Sequence, residues 1–134
     1  MRHRVYFHLV WTTQDRMPLI DEDRARCLRR LVPAIAREAG AHLLGLGVVT
    51  THLHVLVRVP PGFDCGRFVG RTKSVSALLA RRDRLGDPSR PRRWVEGYSV
   101  TSVGPGEVER VLQYVLGQSR RHPREAIGGP GNVD

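Results

Sequence analysis

Residues 43–50 (LLGLGVVT) and 52–59 (HLHVLVRV) decide the fold of this chain. Both runs are rich in branched apolar residues, which is typical of β-strands, and only Thr51 separates them. So short a connection fits a tight hairpin between two antiparallel strands. The Pro-Pro-Gly sequence at 60–62 then ends the second strand. The sequence therefore predicts an antiparallel sheet built on this hairpin.

The sequence on either side of the hairpin predicts two more strands and three helices. Residues 4–13 are rich in β-branched and aromatic types and contain no Gly or Pro, so we expect a central strand that is buried on both faces. Residues 97–103 are predicted to form the last strand. Apolar residues recur three and four apart in three segments, which predicts helices at 21–39, 65–82 and 107–120.

The order of these elements predicts an α+β fold. Strand, helix, strand, strand, helix, strand fits a ferredoxin-like antiparallel sheet with helices packed on it, and the third helix is an additional C-terminal one. Pro33 is expected to kink or divide the first helix. The 134 residues suffice for one domain, which we place at 1–121. Residues 122–134 (HPREAIGGPGNVD) show no periodicity and are predicted to be a mobile tail.

The charge of the chain favours a polyanionic partner. Twenty-two Lys and Arg against thirteen Asp and Glu give a net charge of +9, and 21 of the 22 cations are Arg. Arg suits forked phosphate contacts and stacking on bases, although a biased base composition of the gene would also produce the excess. Nucleic acid is the expected partner, and seven basic residues are candidates for a DNA-binding groove: Arg67, Arg71, Lys73, Arg81, Arg82, Arg92 and Arg93.

Cysteine usage and hydropathy exclude several classes of protein. Cys27 and Cys65 have no C-x-x-C spacing, so neither a disulfide scaffold nor a zinc knuckle is expected. No apolar run approaches the roughly 20 residues of a membrane span, and the N-terminus lacks a secretory leader. We expect a soluble cytoplasmic protein with no membrane partner.

Two histidines lie at the start of the second hairpin strand. Because successive side chains of a strand point to opposite faces, Leu53 and Val55 belong to an apolar face. His52 and His54 share the other face, directed away from the core. Two imidazoles so placed have the geometry of a metal chelate. The alternative is that they only cap an exposed sheet edge.

Tyr114 and Gln118 lie one turn apart on the polar face of the third predicted helix. Whatever Tyr114 reaches, Gln118 can reach as well, and an amide oxygen beside two imidazoles could complete a divalent-cation site. A cation bound to a phosphodiester would lower the barrier to attack by the tyrosine. The attack would store the energy of the broken bond in a phosphotyrosine. The alternative is a tyrosine at the boundary of the core.

Five segments carry a resemblance to a known family. In order along the chain they are FHLVWTT at 7–13, HLH at 52–54, the basic KSVSALLARR from 73, WVEGYSVTSVG at 94–104 and YVLGQ at 114–118. In this order and spacing the chain resembles the single-tyrosine, HUH-type transposases of bacterial insertion sequences and their REP-associated relatives. The resemblance extends from about Arg4 to Gln118.

The resemblance implies a prokaryotic, DNA-associated enzyme that cleaves and rejoins single-stranded DNA at hairpin-flanked ends. His52 and His54 would be the paired histidines and Gln118 the third ligand of a divalent metal, Mg²⁺ or Mn²⁺. Tyr114 would be the nucleophile that becomes a 5′-phosphotyrosine.

Further implications concern the tyrosine helix. Gly104 and Gly106 would form a hinge before it. The resemblance also implies a homodimer in which the tyrosine helix of one subunit acts in trans on the histidine pair of the other.

Two other functions stay open from the sequence. A non-catalytic or domesticated nucleic-acid-binding protein of the same fold would account for the element order and the basic charge. A metal-dependent hydrolase with an activated water would not need Tyr114 as a nucleophile.

Overall fold

Four strands form one antiparallel sheet in the order β2-β3-β1-β4. The computed structural model describes residues 4–82 and 94–128, without the side chains of 80–82. The strands are β1 (Val5–Thr12), β2 (His42–Val48), β3 (His52–Val59) and β4 (Ser99–Val103). The helices are α1 (Glu22–Glu38), α2 (Cys65–Arg82), α3 (Val108–Leu116) and a short α4 (Gln118–Arg121). The predicted α+β fold and the central position of β1 are confirmed.

The β2–β3 hairpin forms as its sequence predicts. Its register pairs Val48 with Leu53 and Gly47 with His54, and an irregularity lies between Leu43 and Gly45. Strand β2 ends at Val48, two residues earlier than predicted, because the amide of Val49 donates to the carbonyl of His52 at 3.1 Å and closes the turn.

Helices α1 and α2 cover one face of the sheet and enclose the main core. Leu9, Trp11, Leu53, Val55 and Val57 meet buried apolar residues of the two helices there. The Asp21 side chain caps α1 by accepting from the amide of Arg24 at 2.8 Å. Contrary to the expectation, Pro33 does not divide α1. Its neighbours Val32, Ile35 and Ala36 are buried, and this packing offsets the lost backbone hydrogen bond.

Helix α3 packs on the other face of the sheet. Leu56, Val103 and Val115 form a second, smaller core beneath it. The helix comes very close to β2, because Gly47 has no side chain: a Cβ there would lie 2.0 Å from the carbonyl oxygen of Val115. The close approach places α3 over the same sheet face as His52 and His54.

The third helix predicted at 107–120 is two helices in the structure. The first begins at Val108 and ends at Leu116, and Gly117 separates it from α4. A 3₁₀ turn (Pro105–Glu107) leads into α3, and another (Pro123–Glu125) follows α4.

The first part of the predicted tail makes long-range contacts in the structure. The amide of Thr50 donates to the carbonyl of Glu125 at 2.7 Å, and Ala126 is buried with only 1% of its surface exposed. Residues 122–128 are therefore held against the β2–β3 turn by long-range contacts that local periodicity does not encode. Residues 129–134 of the predicted tail lie outside the described residues. No helix among residues 4–82 and 94–128 is long and apolar enough to cross a membrane.

Candidate active site

His52 and His54 occupy the face of β3 that α3 covers. The predicted alternation is present, since Leu53 and Val55 lie in the main core while the two imidazoles face the opposite side. The ring centroids are 5.0 Å apart at 70°. The two histidines do not cap an exposed sheet edge: His52 and His54 are only 4% and 5% exposed, because α3 and the segment after it pack over them.

His54 is held by a third histidine that was not predicted as a site residue. Nδ1 of His54 and Nε2 of His8 are 2.8 Å apart, and the two rings stack with centroids 5.0 Å apart at 24°. The sequence carried a signal for His8. Alternation along β1 places it on the face opposite to Leu9 and Trp11, which is the face of the histidine pair.

His52 has a different set of partners. Its Nδ1 lies 2.9 Å from the hydroxyl of Thr51 and 3.6 Å from Oε2 of Glu125. Its Nε2 lies 3.4 Å from Oε1 of Gln118, and the ring of His122 is edge-on at 5.4 Å. The segment after α3 therefore contributes three side chains around this one imidazole.

Gln118 links the tyrosine helix to the histidines. It is 1% exposed, and its Nε2 donates to the carbonyl of Tyr114 at 2.8 Å. This bond orients the amide so that Oε1 is the atom toward His52. The structure thus brings Tyr114 and Gln118 together one turn apart, as the helix pattern predicts, even though α3 ends between them.

The Tyr114 ring lies between the histidines and an exposed arginine. Its centroid is 5.5 Å from that of His54 and 5.9 Å from that of His8, both edge-on. The guanidinium carbon of Arg121 lies 4.5 Å from the ring centroid. A cation beside an aromatic face is attracted to it, so Arg121 brings positive charge to the side of the site where Tyr114 is half-buried.

Burial keeps the three histidines neutral at neutral pH. It lowers the pKa of His54 to about 3, an effect that the neighbouring His52, His8 and His122 rings reinforce. Burial also lowers the pKa of His8 and of His52, although for His52 the hydrogen bond to Gln118 and the Glu125 carboxylate oppose the shift. A neutral imidazole keeps a ring nitrogen lone pair, which is the form that binds a metal ion.

The donor set fits a divalent cation only if an amide oxygen takes part. Within the described ranges, no group of three or more His, Cys, Asp or Glu side chains is arranged to hold a metal. Nε2 of His52 and Oε1 of Gln118 nevertheless converge, and His54 lies beside them. Of these donors, the amide oxygen is the type that Mg²⁺ and Mn²⁺ prefer, and imidazole nitrogen is a common ligand of divalent transition metals.

The predicted hinge glycines flank the turn that leads into α3. Neither Gly104 nor Gly106 has a positive φ, and a Cβ at either position would meet nothing within 4 Å. Their backbone conformation does not require glycine, and the hinge stays a prediction.

The predicted basic groove does not surround the histidines. Arg67, Arg71 and Lys73 lie on α2, on the opposite side of the sheet from α3. Arg71 forms an ion pair with Glu38 at 3.1 Å, and Nζ of Lys73 donates to the carbonyls of Val95 and Gly97 at 2.8 and 2.7 Å. The side chains of Arg81 and Arg82 are not described, and Arg92 and Arg93 lie outside the described residues.

Comparison with known proteins decides the family. Residues 1–118 match the family model described as "Transposase IS200 like". The chain belongs to the IS200-like transposase family. The resemblance found in the sequence is thereby confirmed. Transposases for insertion sequence element IS200 from Salmonella typhimurium (strain LT2) and Salmonella typhi are each 21% identical over 132 residues, which cover 94% of this chain and 86% of theirs.

Two solved structures share the fold of this IS200-like transposase. One, from Deinococcus radiodurans R1, is of a protein proposed to be a transposase; it has a TM-score of 0.66 at 24% identity and covers 86% of this chain and 91% of its own. The other is a REP-associated tyrosine transposase bound to a REP hairpin, with a TM-score of 0.69 at 14% identity over 91% of this chain and 70% of its own.

Proposed function

We propose that this transposase cleaves and rejoins single-stranded DNA at hairpin-flanked ends through a 5′-phosphotyrosine on Tyr114. One observation carries the proposal: the Tyr114 ring lies 5.5 Å from that of His54, while Oε1 of Gln118 on the same segment lies 3.4 Å from Nε2 of His52. Two elements distant in sequence thus bring the Tyr114 ring, two imidazoles and the Gln118 amide to one place. The REP hairpin in the complex of the structural neighbour supports hairpin DNA as the substrate.

His52, His54 and Gln118 would hold Mg²⁺ or Mn²⁺. Such a cation polarises a non-bridging phosphate oxygen and orients the scissile bond. Side chains of the protein position Tyr114 relative to these ligands. The amide of Gln118 ties the ligand set to the Tyr114 backbone at 2.8 Å, so the distance between nucleophile and ligands is fixed by a single turn. Arg121 places a guanidinium next to the phenol, where charge develops as the hydroxyl loses its proton.

The proposed chemical step conserves the energy of the broken bond. The phenolic oxygen of Tyr114 attacks phosphorus, the bond to the 3′ oxygen breaks, and that oxygen leaves as a 3′-hydroxyl after it gains a proton. The 5′ phosphate stays on the tyrosine. A 3′-hydroxyl from another end can then reverse the reaction on a new partner, so joining needs no nucleotide triphosphate.

A labelled hairpin oligonucleotide with single-stranded flanks, taken from imperfect palindromes beside the gene, tests the nucleophile. With Mg²⁺ or Mn²⁺ we expect a covalent protein–DNA adduct on a denaturing gel, and its loss in Tyr114→Phe. Tyr98→Phe is the matched control, because Tyr98 is exposed and its hydroxyl lies near Gly66 of α2, the helix on the opposite face of the sheet from the histidines. An adduct that survives in Tyr114→Phe would falsify the assignment.

The same assay separates the two other functions. Cleavage without an adduct in Tyr114→Phe would indicate a hydrolase with an activated water. Hairpin binding without cleavage in any divalent metal, unaffected by His52→Ala, would indicate a non-catalytic binding protein.

We also propose the homodimer with exchanged tyrosine helices. The contacts described above are within one chain, and an exchange would reproduce them between two. Mixing Tyr114→Phe subunits with His52→Ala subunits distinguishes the arrangements: an exchanged dimer regains one intact site and forms adducts, whereas sites built within each chain stay inactive.

A further inference from the structure

We infer that His8 is a positioning residue for His54: it accepts the Nδ1 proton of His54 and so leaves Nε2 of that ring to bind the cation. This inference rests on the proposed metal site. It concerns a residue of β1, outside the histidine pair and the tyrosine helix.

The geometry of the two rings is that of a formed hydrogen bond. Nε2 of His8 and Nδ1 of His54 are 2.8 Å apart, and the planes are 24° from parallel. Only one proton fits between the two nitrogens. A neutral His54 that carries its proton on Nδ1 keeps its lone pair on Nε2, whereas the other tautomer has no lone pair there for a metal.

The position of His8 is fixed by the sheet. Strand β1 is paired on both sides, and the residues opposite His8 are Leu56 of β3 and Thr101 of β4. Its backbone therefore cannot shift without disturbing three strands. A ring on so rigid a strand can hold a second ring in one orientation, which is what a partner of a metal-binding histidine does.

His52 is oriented independently of His8. Its Nδ1 partner is the hydroxyl of Thr51 at 2.9 Å, and the Glu125 carboxylate lies 3.6 Å away. Loss of His8 should therefore release His54 and leave His52 in place. The nitrogens of His52 serve as an internal control.

Two measurements other than enzymatic activity test the role of His8. Long-range ¹H–¹⁵N correlation spectra of the metal-free protein report which ring nitrogen of His54 carries the proton, and a Mn²⁺ titration followed by electron paramagnetic resonance gives metal affinity. In the wild type we expect the proton of His54 on Nδ1. In His8→Phe, which keeps a ring but removes the acceptor, we expect a mixture of tautomers and a loss of about 10–100-fold in Mn²⁺ affinity.

Matched variants separate positioning from folding. His8→Gln retains an acceptor and should restore much of the affinity. His42→Phe replaces an exposed histidine at the far end of β2 and should leave the His54 spectrum and Mn²⁺ affinity unchanged. Thermal unfolding of each variant identifies any that fails to fold.

Three outcomes would overturn the inference. One is a wild-type His54 whose proton sits on Nε2, which needs no variant to observe. Another is a folded His8→Phe with unchanged tautomer and Mn²⁺ affinity. The third is complete loss of Mn²⁺ binding in His8→Phe, equal to that in His54→Ala, which would make His8 a ligand. If the wild type binds no Mn²⁺, the proposed metal site fails, and the tautomer measurement still decides the role of His8.

Discussion

Replacing Gly47 with alanine tests whether the docking of α3 controls the site. A Cβ at Gly47 would lie 2.0 Å from the carbonyl oxygen of Val115 and 3.1 Å from Cγ of Gln118. Real Cβ atoms essentially never lie closer than 3.0 Å to such neighbours. The obstructing atom is backbone and cannot rotate away. The helix and β2 must therefore separate by about 1 Å.

The displacement acts directly on the proposed nucleophile and ligand. Val115 follows Tyr114 and precedes Gln118 by three residues, so all three move together. A misplacement of about 1 Å costs on the order of 100-fold in rate where positioning drives catalysis. Overpacking costs about 1–3 kcal/mol of folding free energy. We expect a folded protein whose rate of adduct formation falls about 100-fold.

Single-turnover adduct formation on a hairpin oligonucleotide measures the effect, with thermal unfolding alongside. Gly45→Ala is a graded control: its Cβ would meet Cδ1 of Leu112 at 2.5 Å, the end of a flexible side chain that can turn away, so the loss should be smaller. Gly70→Ala adds a Cβ that meets nothing within 4 Å. It should keep the wild-type rate and gain about 0.5–1 kcal/mol of helix stability. A wild-type rate and melting temperature in Gly47→Ala would refute the docking described here.

Three further predictions concern stability. Burial lowers the pKa of His54 to about 3 from an unfolded value of 6.5, so between these pH values the folded metal-free protein binds fewer protons than the unfolded one. Its melting temperature should therefore fall as the pH drops from 6.5 toward 3. The fall should be less steep in His54→Gln. Leu56→Ala should lower the free energy of unfolding in denaturant titrations by about 2–5 kcal/mol, since Leu56 is 0% exposed beneath α3; an unchanged midpoint would contradict that second core. Asp21→Ala should cost about 1 kcal/mol through the lost α1 cap, whereas Asp23→Ala, at an exposed first-turn position, should cost less.

The parts of the fold that the sequence predicted well are those with local periodicity. The hairpin strands follow from branched residues and a one-residue spacer, and α2 runs from Cys65 to Arg82 as its apolar pattern predicts. Alternation along β3 also placed His52 and His54 on one face. These features depend on neighbours within a few residues, which a single sequence displays directly.

The features that were missed depend on contacts between distant residues. Residues 122–128 contact the rest of the chain through the bond from Thr50 to Glu125 and the burial of Ala126, neither of which leaves a periodic signal. The basic residues of α2 stay candidates for a DNA-binding groove; that they lie on the opposite side of the sheet from the histidines follows from the topology of the whole sheet, which a single sequence does not display. His8 was within reach of alternation, and only its pairing with His54 reveals its place in the site.

The burial of the histidine pair bears on how DNA reaches it. His52, His54 and Gln118 are at most 5% exposed, whereas Tyr114 is half-buried and Arg121 is exposed. Side chains that are so little exposed leave almost no surface for a nucleotide phosphate to contact, so we expect the cover to shift when DNA binds. The cover is held more weakly than the opposite face, because α3 has nine residues and rests on the smaller of the two cores. Elements with few buried apolar contacts open most readily, and Gly117 directly follows α3 while Gly106 lies two residues before its start. A helix that carries the proposed nucleophile and also covers the proposed ligands would couple the entry of DNA to the position of Tyr114.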